Sequence, residues 1–234
     1  MRDGVINIQG MMKLSLLDFP GKVACTVFTG GCNLRCPFCH NSSLVRTPGA
    51  GANMIDEVLS YLEKRKGIIE GVCITGGEPL LQPHLPEFIR TVSDMGFAVK
   101  LDTNGALPER LSQILSDKHV DYVAMEIKGW PEKYGQATDS DIPFETFMRS
   151  ISVIRELAPD YEFRTTAVKG LHTVGDFEKI SLILRPDEKY FIQKYADSGD
   201  ILKKENDFSA FSDAEMKEIL ETVRKQIPAC ACRG

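Results

Sequence analysis

Short apolar segments alternate with amphipathic segments along most of this chain. The apolar segments predict β-strands at residues 23–29, 71–75, 98–102, 122–127, 161–168 and 190–195. Regular alternation of strands and helices predicts a parallel sheet with right-handed crossovers. A doubly wound sheet and a barrel both fit, and six units are fewer than the eight of a full TIM barrel. We predict a single-domain α/β fold, an incomplete (β/α)6 TIM-like barrel.

The predicted organisation is one domain over residues 1–234, in which 1–22 form an N-terminal extension. Residues 29–53 are a long loop after the first predicted strand, and the polar stretch 132–143 is expected to be a loop as well. Ser212 and Glu215 predict a capping box at the start of the last helix.

The composition argues against nucleic acid, membrane and export. The net charge is −5, no long apolar run is present, and the first residues lack a signal-peptide pattern. We therefore expect a cytoplasmic protein.

The loop after the first predicted strand carries Cys32, Cys36 and Cys39 in a CxxxCxxC pattern. Thiolates favour iron–sulfur clusters, zinc and copper(I). Structural zinc sites and ordinary four-iron clusters are closed by four protein ligands, so three ligands leave one metal position open for chemistry. The seven cysteines are an odd number, which favours metal binding over disulfides in a chain without an export signal. A Cys3His zinc site that includes His40 is the alternative.

The other four cysteines lie outside this motif. Cys25 and Cys73 fall within predicted strands and are expected to be small core residues. Cys230 and Cys232 form a C-x-C pair near the end of the chain. They are expected to be ordinary thiols, with a redox or metal role left open.

Polar residues and glycines follow the predicted strands at their carboxyl ends, where parallel sheets of this kind bind ligands. Two glycines let a backbone approach a ligand closely, and residues two apart on a strand share a face. The candidate binding residues are Gly76, Gly77, Glu78, Asp102, Glu126, Lys128, Arg164 and Gln193. They predict a polar site for a zwitterionic, hydroxyl-rich ligand.

Several of these residues also have a purely structural interpretation. Asp102 would then cap the turn that follows it, and Glu126 and Lys128 would only pair with each other. Arg164 would lie at the surface if its predicted face is wrong. The common place of these residues at successive strand ends favours the binding interpretation.

The cysteine motif, with Phe38 before its last cysteine, resembles the cluster motif of the radical S-adenosylmethionine (SAM) enzymes. Within that superfamily, the segment from Leu17-Asp18-Phe19-Pro20-Gly21-Lys22 to Cys39-His40-Asn41 resembles the activating proteins of anaerobic ribonucleotide reductase. Segments 76–79, 102–105 and 164–166 and the ending Arg233-Gly234 support this resemblance. It covers nearly the whole chain and extends more loosely to pyruvate formate-lyase activases.

The resemblance implies one 4Fe–4S cluster on Cys32, Cys36 and Cys39, with the open iron chelated by the amino and carboxylate groups of SAM. Phe38 and His40 would flank the adenine and cluster region.

The same resemblance implies roles for the residues at the strand ends. Gly77, with its neighbours Gly76 and Glu78, would meet the methionyl amino group. Asp102, Glu126 and Lys128 would surround the methionyl carboxylate or an adjacent monovalent cation. Related activases usually have Asp where Glu126 stands, and the extra methylene would alter or abolish cation coordination. Arg164 and Gln193 would complete the SAM pocket.

The implied activity is that of a radical SAM oxidoreductase. It would take a hydrogen atom from a glycine of anaerobic ribonucleoside-triphosphate reductase and leave a glycyl radical there. Because no second cysteine cluster lies between the first predicted helix and the second predicted strand, an external donor such as flavodoxin or ferredoxin would supply the electron.

Three alternatives stay open. The chain would activate another glycyl-radical enzyme of the pyruvate formate-lyase type. It would act on a small molecule, as a carboxy-deazaguanine synthase does. Or it would be a non-catalytic iron–sulfur or zinc module.

Overall fold

A computed structural model of the protein describes residues 6–46, 54–196, 199 and 201–233. In this part of the chain the strands are β1 (Ile8–Ser15), β2 (Ala24–Thr29), β3 (Gly71–Gly76), β4 (Ala98–Thr103), β5 (Tyr122–Glu126), β6 (Tyr161–Ala167), β7 (Tyr190–Lys194) and β8 (Ala231–Arg233). The helices are α1 (Ser42–Arg46), α2 (Ile55–Lys64), α3 (Leu85–Asp94), α4 (Pro108–Ser116), α5 (Pro131–Thr138), α6 (Phe144–Leu157), α7 (Val174–Ser181) and α8 (Asp213–Arg224). Every described helix is too short or too polar to cross a lipid bilayer.

The described strands lie in one sheet in the order β1 to β8. β1 is antiparallel to β2, whereas the pairs β2–β3, β3–β4, β6–β7 and β7–β8 are parallel. Because β1 and β8 are the two ends of this order, the sheet is open. Strands β2 to β7 correspond to the six predicted strands, and helices follow them along the chain. The predicted α/β fold, an incomplete TIM-like barrel, is therefore confirmed.

The chain forms two compact units, each assembled from several segments. The first unit comprises Met1–Asn33, Ser43–Ala124 and Glu145–Asp160. The second comprises Leu34–Ser42, Met125–Phe144 and Tyr161–Gly234. The predicted bounds of the domain, the extension and the cysteine loop stay predictions. Residues 1–5 of the predicted extension, 47–53 of the predicted loop and Gly234 lie outside the described residues.

In the first unit, β2, β3 and β4 pair in register, so that Val27, Ile74 and Leu101 fall on neighbouring strands and are fully buried. Phe19 and Tyr122 pack together in a small cluster with Ala24. β1 lies within the predicted extension, where the sequence analysis expected no strand. Its first residue, Ile8, is buried, but Met12 and Leu14 are exposed. Its place in the sheet therefore depends on pairing with β2.

In the second unit, a chain of hydrogen bonds joins β6 and β7 to the end of β5. The hydroxyl of Tyr190 donates to Thr165 Oγ1 over 2.7 Å, and Thr165 Oγ1 donates to the carbonyl of Ile127 over 2.7 Å. Phe163, Thr165 and Ala167, which alternate along β6 and so share a face, are all fully buried.

The expectation of a loop over 132–143 is wrong for its first part, because α5 occupies Pro131–Thr138. Pro131 stands at the first helical position, where its missing N–H costs nothing. Tyr134 and Ala137 are buried on one helix face. Asp139 ends the helix with a positive φ of 47°. The capping box predicted for the last helix is present, since Ser212 and Glu215 bond each other reciprocally at the start of α8.

The last described residues of the second unit form β8, which the sequence analysis did not predict. Arg233 donates to both carboxylate oxygens of Glu162, over 2.7 and 2.9 Å, and its guanidinium lies 3.4 Å from the centre of the Phe191 ring. Glu162 is fully buried. This ion pair ties the end of the chain to β6.

Candidate cofactor site

The structure describes all three motif cysteines, and none of them forms a disulfide. Cys32 belongs to the first unit, and Cys36 and Cys39 belong to the second. The N–H of Cys39 donates to the carbonyl of Cys36 over 3.0 Å, which closes a tight turn. Within the second unit, main-chain hydrogen bonds anchor this turn, from Arg35 to Thr138 and from Lys203 to Pro37.

The donor chemistry of the motif fits an iron–sulfur cluster, because three thiolates are soft ligands and supply one ligand fewer than a closed site needs. Among the described residues, no three His, Cys, Asp or Glu side chains are already gathered closely enough to hold a metal ion. The assignment of Cys32, Cys36 and Cys39 as the ligands therefore stays a prediction.

The two glycines that follow β3 bring its end against the segment before Cys32. A Cβ atom at Gly77 would lie 1.9 Å from the carbonyl oxygen of Gly31, and one at Gly76 would lie 2.3 Å from the nitrogen of Thr29. Gly76 also has a φ of +121°, which side chains rarely adopt. The N–H of Glu78 donates to the carbonyl of Gly31 over 2.7 Å. The close backbone approach that was predicted here is thus an approach to the cysteine loop, and contact with SAM stays a prediction.

The carboxylate of Glu78 is fully buried and organises the turn after β4. It accepts the hydroxyl of Thr103 over 2.9 Å and the backbone N–H of Asn104 over 2.7 Å. It also accepts the N–H of Leu80 over 3.1 Å. These hydrogen bonds from Thr103 and Asn104 to Glu78 hold the end of β4 in place within the first unit.

Asp102 is paired with a buried lysine that the sequence analysis overlooked. Lys100 Nζ lies 2.5 Å from Asp102 Oδ1 and 3.8 Å from the sulfur of Cys73, and Lys100 is only 1% exposed. The two residues stand two apart on β4 and so share a face. Asp102 therefore already has an ammonium partner, where the sequence analysis allowed for a monovalent cation.

The second unit brings Glu126, Lys128 and Thr166 together. Lys128 Nζ lies 2.8 Å from Glu126 Oε2, and the hydroxyl of Thr166 donates to Glu126 Oε1 over 2.9 Å. Burial raises the pKa of Glu126, but the Lys128 ammonium and the Arg164 guanidinium outweigh it and lower the pKa to about 2. Glu126 is therefore ionised at neutral pH, and the predicted pairing is real.

Lys128 also links this pair to the cysteine loop of the same unit. Its ammonium lies 5.5 Å from the centre of the Phe38 ring. Burial lowers the pKa of Lys128, but negative charge on the Cys36 sulfur and on the Glu126 carboxylate outweighs it, so the pKa is raised. A permanent positive charge thus stands beside a predicted cluster ligand, in a place suited to a carboxylate ligand.

The remaining predicted binding residues of the second unit are Arg164, Gln193 and His40. Arg164 on β6 is half-buried, as is Gln193 on β7, which pairs with Thr166 in the sheet register. His40 is exposed. Their predicted contacts with SAM stay predictions.

A buried histidine, His172, fixes the backbone at Lys128. The N–H of Val168 donates to His172 Nδ1 over 3.2 Å, so Nε2 carries the proton and donates to the carbonyl of Lys128 over 3.0 Å. Burial lowers the pKa of His172, which keeps the ring neutral. No spacing in the sequence could have indicated this contact, because 44 residues separate the two partners.

The cysteines outside the motif agree with their expected places. Cys25 and Cys73 are buried in the strands of the first unit, and burial raises the pKa of Cys25 to about 12. Burial also raises the pKa of Cys230 to about 12, whereas Cys232 is exposed on β8.

The sequence profile of the radical SAM superfamily matches residues 26–180 of this chain. The match spans more than half of the residues, and the protein therefore belongs to the radical SAM superfamily. Enzymes of this superfamily use a 4Fe–4S cluster and SAM, so these are the cofactors of the chain. The open donor set of CxxxCxxC agrees with that chemistry.

The sequence of the chain is similar to those of three relatives with different activities. A proposed glycyl-radical enzyme activating enzyme of Methanocaldococcus jannaschii is 31% identical over 193 residues, covering 80% of this chain and 79% of the relative. A 7-carboxy-7-deazaguanine synthase of Methanopyrus kandleri is 30% identical over 199 residues, covering 73% and 75%. A pyruvate formate-lyase-activating enzyme of Clostridium pasteurianum is 33% identical over 127 residues, covering 52% of each chain.

The fold also matches solved structures. SuiB of Streptococcus suis bound to S-adenosylmethionine superimposes with a TM-score of 0.69 at 14% sequence identity, covering 88% of this chain and 49% of that one. At this identity the similarity shows the fold alone.

Proposed function

We propose that this protein is a glycyl-radical enzyme activase whose target is anaerobic ribonucleoside-triphosphate reductase. The observation that carries the proposal is the 31% identity to a proposed glycyl-radical activating enzyme, because it extends over about four fifths of both chains. The match to a pyruvate formate-lyase-activating enzyme points to the same class of partner. The choice of the reductase rests on the resemblance of the segment from Leu17 to Asn41, and of the strand-end motifs, to that group of activases.

The side chains of each unit have distinct roles in this proposal. When bound, the reduced cluster and SAM supply the radical chemistry that removes a hydrogen atom from the partner's glycine. Lys128, kept charged beside Glu126, would bind the methionyl carboxylate of SAM. Gly76 and Gly77 would present backbone carbonyl groups to the methionyl amino group, with Glu78 holding the neighbouring turn. Phe38 and His40 would border the adenine, while Arg164 and Gln193 would complete the pocket.

The electron would come from outside the chain. No cysteine lies between His40 and Val72, so this region provides no ligands for a second cluster. We propose flavodoxin or ferredoxin as the donor and the cytoplasm as the location. The structure describes all seven cysteines and pairs none of them in a disulfide, which suits a reducing compartment.

The proposal is tested by mixing the anaerobically reconstituted protein with the candidate reductase, SAM and a chemical reductant. The expected result is a doublet in electron paramagnetic resonance that resides on the reductase. The doublet should collapse when the reductase is produced with glycine deuterated at the α-carbon, since the splitting comes from that hydrogen. Deoxyadenosine should form in proportion to the radical.

Omission of the reductase is the matched control, because an activase should then form little deoxyadenosine. Failure of the doublet with the reductase, together with its appearance on a pyruvate formate-lyase-type enzyme, would reassign the target. No doublet on either partner would reject the activase proposal.

A second candidate is supported by the 30% identity to a 7-carboxy-7-deazaguanine synthase over three quarters of that enzyme. In this case the chain would act on a small molecule. Deoxyadenosine formed only in the presence of a small heterocyclic substrate, without any protein radical, would favour this function over activation.

A further inference from the structure

Asn104, in the turn after β4, places its side-chain amide against a predicted cluster ligand. Nδ2 lies 3.7 Å from the sulfur of Cys32 and 2.9 Å from Oδ1 of Asn33. The amide nitrogen carries two hydrogens, so it can supply both contacts. All three residues belong to the first unit.

The orientation of this amide is fixed by its other end. Oδ1 of Asn104 accepts the backbone N–H of Ala106 over 2.9 Å. A flipped amide would place nitrogen against that N–H and oxygen against the sulfur, which would lose both bonds. Asn104 therefore presents a donor, not an acceptor, to Cys32.

The backbone beneath Asn104 is held as firmly as the amide. Its N–H donates to the buried carboxylate of Glu78 over 2.7 Å. The following residue, Gly105, donates to Thr103 Oγ1 over 3.1 Å and accepts the hydroxyl of Ser150 over 2.7 Å. Asn104 is itself only 8% exposed. The turn that carries this donor is therefore held by hydrogen bonds within the first unit.

A donor of this kind acts on the charge of a cluster. Hydrogen bonds to the sulfurs are among the factors that set the reduction potential of iron–sulfur clusters. Reduction adds negative charge that is shared with the thiolate sulfurs, so an N–H donor stabilises the reduced form more than the oxidised form.

We infer that Asn104 is a positioning residue for the cluster, and that its N–H···S hydrogen bond to Cys32 raises the reduction potential. The inference rests on the predicted ligand role of Cys32, but it does not depend on which partner is activated. The same inference gives Glu78 the role of holding the backbone of Asn104, which could not be predicted from the sequence. Glu78, Asn104 and Cys32 form one continuous series of contacts that joins three separate sequence motifs.

Asn104→Leu tests the inference, because leucine has a similar shape and no donor. The variant and the wild type are reconstituted anaerobically, assayed for iron and sulfide, and titrated electrochemically with detection by electron paramagnetic resonance. We expect full cluster content in Asn104→Leu with a more negative potential. The ratio of reduced to oxidised cluster at a fixed applied potential should fall about tenfold, which corresponds to about 59 mV for one electron.

Two further variants sharpen the test. Asn104→Asp keeps the shape but turns an oxygen toward the sulfur, so its potential should fall further than that of Asn104→Leu. Asn33→Ala removes the other acceptor of the same amide and leaves the N–H···S contact, so its potential should match the wild type.

An unchanged potential in fully loaded Asn104→Leu would overturn the inference. Loss of cluster assembly in both Asn104 variants, with normal assembly in Asn33→Ala, would also overturn it, because the contact with Cys32 would then serve assembly and not the reduction potential. A shifted potential in a protein that generates no glycyl radical would support the inference and reject the proposed function, so the two failures are distinguishable.

Discussion

Arg233→Ala is expected to destabilise the second unit strongly, because it removes a guanidinium from a buried carboxylate. In the wild type both oxygens of Glu162 accept hydrogen bonds from Arg233, over 2.7 and 2.9 Å. Glu162 is 0% exposed, whereas the side chain of Arg233 is 32% exposed. The substitution therefore leaves a buried carboxylate without its guanidinium partner.

The magnitude follows from this geometry. Removal of one partner of a buried ion pair costs about 3–5 kcal/mol. Loss of the stacking contact between Arg233 and the Phe191 ring adds roughly 0.5–1 kcal/mol, since the arginine is partly exposed. Together the two losses give an expected decrease of about 3.5–6 kcal/mol in the free energy of unfolding.

Urea unfolding measures this decrease. Trp130 is the single tryptophan, and its Nε1 donates to Asp176 over 2.7 Å within the second unit, so its fluorescence reports on that unit. The double variant Arg233→Ala/Glu162→Gln should recover about half of the lost stability, because the amide carries no charge. A loss below about 0.5 kcal/mol for Arg233→Ala, the size of an ordinary surface substitution, would refute the reasoning.

Four further outcomes are expected. Cys36→Ala should abolish reductive cleavage of SAM and leave the fold intact. Cys232→Ala is the control at an exposed cysteine outside the motif, and this variant should cleave SAM normally. The measurement is the yield of deoxyadenosine, and a normal yield from Cys36→Ala would remove Cys36 from the ligand set. Lys128→Ala should weaken SAM binding by about tenfold or more, because one charge-assisted hydrogen bond is lost, and it should not lower the iron content. Lys66→Ala, at an exposed lysine, should leave SAM binding unchanged. A binding isotherm of Lys128→Ala equal to that of the wild type would speak against the role of Lys128. Lys100→Met should lower the free energy of unfolding by about 3–5 kcal/mol, because it leaves Asp102 without its ammonium partner. The double variant Lys100→Met/Asp102→Asn should recover part of this loss. Equal stability of wild type and Lys100→Met in urea unfolding would contradict the pairing. Because the pKa of Glu126 in the folded protein is lowered from 4.5 to about 2, its ionisation stabilises the fold above pH 4.5, and this contribution is lost as the pH falls toward 2. The difference in the free energy of unfolding between wild type and Glu126→Gln should therefore shrink from pH 4.5 to pH 2. A difference that stays constant with pH would contradict the lowered pKa.

The main strands could be predicted from the sequence because each is a short apolar run between helical patterns. β1 could not, since Gly10, Met12 and Lys13 give no alternation and much of its length is exposed. β8 is too short for any periodicity, and its position depends on the pairing of Arg233 with Glu162, 71 residues away.

The candidate site could be predicted only where its residue types are unusual. Three clustered cysteines and a strand ending in Glu126 and Lys128 stand out in any sequence. Lys100 did not, because a lysine within an apolar strand is rarely fully buried. Its spacing of two from Asp102 was the only available signal. Asparagine is common in turns, so Asn104 did not stand out in the sequence. Its contact with Cys32 joins residues 72 positions apart, and only the folded structure could reveal it.

Mössbauer spectroscopy of the iron-57 reconstituted protein, before and after addition of SAM, tests the central claim most directly. Three protein thiolates should leave one iron of the four without a protein ligand. We predict a 4Fe–4S spectrum in which a single iron site changes when SAM is added, and in which the change is clearly smaller in Lys128→Ala at a SAM concentration below the wild-type Kd. Four iron sites that SAM does not alter, or a protein that takes up zinc without sulfide, would contradict the account.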